Sequence, residues 1–435
     1  MFLLARALIA LAVVVAIGFG GLAALAWRSA IAPIAPPASS AFTPETVARG
    51  ALLASAGYCA TCHTAKGGQP YAGGYPVPTG FGTIYSTNIT PDAETGIGAW
   101  SEAAFRRAMH QGVARDGSLL FPAFPYDHFT KLTDADVSAL YAYFMTRPPL
   151  HASAHANTLP FPLKIRALQA GWKLLFFSAG RFQEQPERGA AWNRGAYLAE
   201  GISHCGACHT PRNALGAEER GKVFAGAPID GWEAPPLTRS NPSPAPWTED
   251  ELFAYLRTGV SYLHGTTAGP MSPVVHAGLA QLPDADIRAL AVYFADIDDA
   301  GARVAEVAPA TRHAPAASAP GTGPTDDPAA RLTAAACASC HYNAAATVNP
   351  LRPDLALSTA VNAPAPTNLI RIMLYGVSAR EGAPGVVMPG FSRGLDDADI
   401  ARIAAYLRAT RTAHAPWPDL EKQVASIRQL GKGQE

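Results

Sequence analysis

The sequence predicts an all-α chain: three small helical domains in series behind an N-terminal apolar helix. Three observations carry that prediction. A run without charge, Ala7 to Trp27, lies between Arg6 and Arg28. A five-residue motif, Cys-x-x-Cys-His, recurs at Cys59–His63, Cys205–His209 and Cys337–His341. Asp-Ala-Asp followed by a β-branched residue also recurs three times, at Asp134–Val137, Asp284–Ile287 and Asp397–Ile400. Acidic residues in a first turn complement the helix dipole. Apolar residues follow in register: Val137, Leu140, Tyr143, Phe144; Ile287, Leu290, Tyr293, Phe294; Ile400, Ile403, Tyr406, Leu407. Steps of three, three and one make a one-sided helical stripe.

Length agrees with that count, since 435 residues at about 150 per domain suggest about three domains. Charged residues are 16%, with 34 basic against 34 acidic. That balance and the lack of a basic stripe exclude a nucleic-acid partner. Residues 1–30 read as a membrane anchor or a signal segment. The uncharged run matches the roughly 20 apolar residues that span a bilayer and exceeds the about 7–15 of a cleaved signal, so a retained anchor is favoured, although Ala24-Leu25-Ala26 offers a cleavage site. A Pro/Ala-rich stalk, residues 29–44, leads into domain 1 (41–150), where Ser101 is placed to cap a helix. Residues 151–185 form an amphipathic connector with Leu163-Lys164-Ile165-Arg166 and Trp172-Lys173-Leu174-Leu175. It fits a helix packed between domains and a helix lying on a membrane surface equally well. Domain 2 follows (186–300), then an Ala/Pro-rich linker (301–328), domain 3 (329–412) and a tail (413–435). Leu420, Val424, Ile427 and Leu430 predict a packing helix in that tail. Arg49-Gly50 and Arg194-Gly195 precede the first two motifs, and the glycine would permit a close helix crossing.

Cys-x-x-Cys-His is the attachment signature of a c-type haem. Two thiols a turn apart reach both vinyl edges of one ring, and the next residue brings an imidazole under the iron. Cys-x-x-Cys alone also marks dithiol redox sites and zinc sites. Here the three copies use all six cysteines and each continues with His. Three haems are therefore expected, bound through Cys59, Cys62, Cys205, Cys208, Cys337 and Cys340, with His63, His209 and His341 as proximal ligands. Methionine opposite histidine raises a haem potential. Met388, in Met-Pro-Gly, lies 47 positions after His341, and Met271, in Gly-Pro-Met-Ser-Pro, lies 62 after His209. Both are expected distal ligands. The same spacing from His63 falls on Phe124 or Pro125, and Met109 and Met145 read as core. The first iron therefore has an open position, or His128 as its sixth ligand.

The stretches Phe81–Asp92, Gly112–Gly117, Trp192–Leu198 and His204–Gly216 resemble the triple-haem cytochrome c subunits of membrane-bound bacterial dehydrogenases, the periplasmic alcohol, aldehyde, gluconate and sorbitol oxidising complexes. The resemblance covers nearly all of residues 42–410. It departs at Phe124, where the family typically carries Met. It implies tandem cytochrome c domains on the periplasmic side of the inner membrane. They would relay electrons from a separate catalytic dehydrogenase subunit, alcohol or aldehyde oxidising, to ubiquinone. That partner would be a quinoprotein, a flavoprotein or a molybdenum/iron–sulfur hydroxylase. Leu355–Asn362 and Asn368–Met373 are most similar to versions accompanying the last. No catalytic residue is then expected in this chain. Two alternatives stand beside this one: a peroxidase-like centre at an open first haem, and a free electron shuttle.

Overall fold

The computed structural model describes residues 2–318, 326–341, 352, 354–379, 385 and 387–431. The chain divides into two compact units, Met1–Gln183 with Glu200–His204, and Glu184–Ala199 with Cys205–Glu435. The second unit carries both the second and the third Cys-x-x-Cys-His motif.

In the first unit, α1 (Phe2–Ala26) is a single 25-residue helix; the side chains of many of its residues lie outside those described. Among the described residues, no helix is long and apolar enough to cross a membrane. The expected stalk is not free. Ile31 N donates to the Arg115 carbonyl at 2.8 Å and Ile34 N to that of Ala99 at 3.1 Å. Arg107 Nη1 donates to the Ser29 carbonyl at 2.6 Å. Helix α2 (Pro44–Ala56) starts with Thr43 as N-cap and Pro44 at its first position, both strong start signals. The motif turn α3 (Cys59–Cys62) follows at once. Strands β1 (Pro76–Thr79) and β2 (Gly82–Tyr85) pair antiparallel, Pro76 opposite Tyr85. Helix α4 (Glu102–Gln111) is capped by Ser101, whose side chain accepts from Ala104 N, and ends on left-handed Gly112. A short α5 (Tyr126–Phe129) precedes α6 (Asp134–Met145). Met109 and Met145 are buried, as their helical positions predicted. Helix α7 (Gln169–Phe176) lies in the connector. It packs inside this unit, with Ala170 against Val113 and Leu119 beside Leu22 and Ala26 of α1, and Trp172 edge-on to Tyr126 at 6.3 Å. Its Leu174 and Leu175 stay 68% and 65% exposed.

Helix α8 (Ala190–Tyr197) belongs to the second unit; a wider helical turn, Leu198–Ile202, of which Glu200–Ile202 count with the first unit, leads along the chain to α9 (Gly206–His209). Strands β3 (Ala227–Ile229) and β4 (Trp232–Ala234) form a second two-stranded ribbon. Helix α10 (Glu249–Thr258) leads through β5 (Val260–Ser261) and β6 (Gly265–Thr266) to α11 (Met271–Pro273) and α12 (Asp284–Ile297). The expected linker is partly helical: α13 (Ala300–Arg303) and α14 (Val307–Ser318) occupy it, with Ala314 buried against Leu357, Leu263 and Ala245. Alanine is the best helix former, and a buried partner face outweighs the stretch's prolines. Then come α15 (Pro328–Ala336), α16 (Ala338–His341), α17 (Thr359–Asn362), α18 (Thr367–Tyr375), α19 (Asp397–Arg411) and α20 (Leu420–Gly431). Val424 and Ile427 of α20 pack into one core with Ile370 of α18 and Ile400 of α19, so the tail is a packing helix.

The fold is largely helical, and the three short ribbons correct the expectation of helices alone. In β3–β4 the turn is Asp230-Gly231, both residues at positive φ (49° and 74°), the geometry that matches strand twist in a tight hairpin.

Each Asp-Ala-Asp opens a helix as expected, and Val137, Leu140, Ile287, Leu290, Ile400 and Ile403 are buried. The first two of these helices cross their partners in one way. A Cβ on Gly50 would overlap the Ala139 carbonyl oxygen of α6, and a Cβ on Gly195 would overlap that of Ala289 on α12. The preceding arginine closes both crossings: Arg49 meets Asp136 at 2.6 Å and Arg194 meets Asp286 at 2.8 Å. Gly50 stands nine positions before Cys59, but Gly195 stands ten before Cys205. The wide turn Leu198–Ile202 absorbs the additional residue, as a single-residue bulge in a helix does.

Candidate cofactor sites

At the first motif α2 stops at Gly57, and Tyr58 turns the chain through a left-handed conformation (φ 34°) into Cys59. His63 closes the turn. Its Nδ1 lies 2.7 Å from the Thr87 carbonyl oxygen, two residues beyond β2. With Nδ1–H donating to that carbonyl, Nε2 keeps its lone pair for a metal. Burial lowers the pKa of His63, the Thr87 carbonyl partly opposing it, so the ring is neutral as a ligand must be.

The second motif repeats this arrangement. His204 takes the left-handed turn (φ 33°) before Cys205. His209 Nδ1 lies 2.7 Å from the Pro235 carbonyl oxygen, one residue beyond β4, and burial again lowers the ring's pKa. Thr87 and Pro235 escaped sequence reading because a backbone acceptor has no residue signature. The third motif has the same turn, α16, but residues 342–351, where a corresponding acceptor would follow, lie outside the described ones.

Burial pushes the Cys59 and Cys205 thiols up to about 12 and that of Cys337 up to about 11, with the second cysteine of each pair adding to the rise. Reactive dithiol sites depress a thiol pKa instead. The donor set therefore fits c-type haem: paired thiols for two thioether links, and an imidazole oriented by its Nδ1. Cys59 and Cys62 with His63, and Cys205 and Cys208 with His209, would hold one haem each, and Cys337 and Cys340 with His341 a third.

Hairpin register relates the distal loops. Leu120 N donates to the Gly112 carbonyl, and Thr267 N to the Gly259 carbonyl, at 2.9 and 2.8 Å. Each acceptor is the left-handed glycine ending its helix. Four residues beyond Leu120 is Phe124; four beyond Thr267 is Met271. The two loops thus correspond, with a phenyl ring in one where the other has a thioether. Phe124 packs edge-on to Phe129 at 5.3 Å. His128 is buried, its Nδ1 2.9 Å from the Glu200 carbonyl oxygen. Met388 exchanges both backbone hydrogen bonds with Val377 at 3.0 Å, and residues 380–384 of that loop lie outside the described ones.

The cytochrome c family model matches residues 47–148 and 327–411, around the first and third motifs. A nicotinate dehydrogenase subunit of Pseudomonas putida is 45% identical over 412 residues, 93% of this chain and 34% of that protein; the chain thus spans about a third of that relative's length. The fructose dehydrogenase cytochrome subunit of Gluconobacter japonicus is 38% identical, over 86% of this chain and 81% of that one. The gluconate 2-dehydrogenase cytochrome c subunit of Pantoea cypripedii is 38% identical, over 88% and 89% respectively.

Proposed function

We propose that this chain, which belongs to the cytochrome c subunits of dehydrogenase complexes, relays electrons through three covalently bound haems from a catalytic dehydrogenase subunit to ubiquinone. The observation that carries it is the paired geometry at His63 and His209, each ring set at 2.7 Å from a carbonyl beside two half-buried thiols. When bound, haem supplies reversible one-electron chemistry at iron. The chain's part is to hold each imidazole neutral and aimed, to bury the ring, and to set the distal donor.

Substrate choice belongs to the partner, since relatives of this one framework are named for nicotinate, fructose and gluconate dehydrogenases. We retain an alcohol- or aldehyde-oxidising partner, of molybdenum/iron–sulfur type. The membrane face of the reading is supported by exposed Trp27 and Phe161, and by Leu174 and Leu175 on α7. On this reading the chain works on the periplasmic side of the inner membrane. A pyridine haemochrome titration tests the cofactor reading: three equivalents per chain are expected, and fewer would defeat it. The relay is tested by purifying the complex from membranes and assaying substrate-driven reduction of a water-soluble ubiquinone analogue; turnover that survives loss of this chain would refute it.

Phe124 in the register of Met271 favours one refinement. On this reading the first haem iron is open, because the phenyl ring that stands in the register of the thioether cannot ligate. Carbon monoxide should bind one haem of the reduced protein.

A further inference from the structure

Among the described residues of the second unit two arginines are buried, Arg371 on α18 at 3% exposure and Arg408 on α19 at 6%. Each lies over a tryptophan, Arg371 over Trp232 at 5.5 Å and Arg408 over Trp417 at 4.4 Å. Arg408 is satisfied: its Nη1 donates to the Val361 carbonyl at 2.8 Å and its Nε to that of Ala415 at 3.0 Å. Arg371 is not. Its Nε is buried with no hydrogen-bond partner, and no ion pair is described for it among the described residues. Asp230 feels its charge from the ribbon turn, yet burial still raises that carboxyl's pKa. A buried guanidinium left so is costly, and such groups signal an absent partner. A carboxylate is what its planar fork matches.

The surroundings say which carboxylate. Arg371 reaches the turn of the β3–β4 ribbon, where a Cβ on Gly231 would overlap its Nη2. The ribbon is clamped to α18 on both sides of one residue: Glu233 N donates to Asn368 Oδ1 at 2.8 Å, and Asn368 Nδ2 to the Glu233 carbonyl at 2.7 Å. Two residues on, Pro235 supplies the carbonyl that orients His209. Trp232 also meets Gly269, two residues before Met271. The guanidinium therefore sits at a tryptophan lying between the segments that flank the second haem site. We propose that Arg371 binds a propionate carboxylate of the haem attached at Cys205 and Cys208, so that a residue beyond the third motif completes the second site. This rests on the haem reading above.

Charge sets the sign. Removing the cation leaves the propionate uncompensated, which favours oxidised iron and lowers that haem's midpoint potential. In a spectroelectrochemical titration of the full chain, Arg371→Gln should shift one haem's reduction equilibrium about tenfold, or about 59 mV for one electron. The other two should hold within about twofold, with three haemochrome equivalents retained. Arg371→Lys should shift the same haem less, and it carries the test if the glutamine variant does not accumulate. Arg408→Gln should lower thermal stability without singling out a haem. In a Cys205→Ala/Cys208→Ala chain, which lacks the second haem, R371Q should move neither remaining midpoint. An unmoved midpoint, equal movement of all three, or a shift that persists in that chain would overturn the proposal. A wild-type haemochrome count below three would instead defeat the haem reading itself.

Discussion

The surroundings of His63 and His209 follow one plan and part chiefly at the distal donor. Both have a glycine crossing, an arginine closing it onto the third residue of Asp-Ala-Asp, a left-handed residue before the first cysteine, and a ribbon carbonyl on Nδ1. They differ where Phe124 stands in the register of Met271. The proximal half of a haem site is thus constrained by backbone geometry throughout, whereas the distal donor is one exchangeable side chain on a loop. A framework of this kind can keep its helices and change what its iron does.

The largest effect should come from breaking the shared half. Gly195→Val and Gly50→Val force a branched side chain into a backbone carbonyl, and each should cost about 3 kcal/mol or more, read as a lowered thermal midpoint. Similar losses at both sites would show that the crossings are equivalent. Exchanging the one differing residue sharpens the contrast. Phe124→Met should abolish carbon monoxide binding at the first haem, and Met271→Phe should create it at the second, with little change in helix content by circular dichroism. The smallest effect concerns pH. Burial holds His110 of the first unit near a pKa of about 4, with Arg181 adding to the fall, and holds His264 of the second near about 3. Both are depressed from about 6.5, so the unfolded chain takes up the proton first. Stability from each is complete above pH 6.5 and falls on acidification. The fall levels off near pH 4 for His110 and continues to about 3 for His264. Thermal melts from pH 7 to 3 should show it, and His264→Asn should remove the lower part of the slope.

Much of this was legible in the sequence because it is local. Cys-x-x-Cys-His, the capped start at Ser101, the acidic first turn at Asp134 and the apolar stripes each span a turn or two of chain. The Arg-Gly pairs were visible as a repeat, and their reason emerged only with the facing carbonyls of Ala139 and Ala289. Thr87 and Pro235 were illegible, since any residue's backbone could serve there. Asp230-Gly231 between Ile229 and Trp232 is a local hairpin signal that the haem motifs and helical stripes do not draw on. Residues 29–44 and 301–328 read as stalk and linker from their Pro and Ala content; backbone hydrogen bonds in the first and a buried face around Ala314 in the second, neither visible in composition, tie down the described parts. Arg371 could not be singled out, because its meaning depends on what fails to meet it in space.

The hydrogen bonds at Ile31 and Ile34 have a mechanical corollary. With the chain stapled to α4's neighbours within a few residues of the end of α1, there is no slack rope between that helix and the body. Tilting or turning α1 must swing the first haem's surroundings with it, so whatever grips the helix also sets the angle at which that end meets its redox partners.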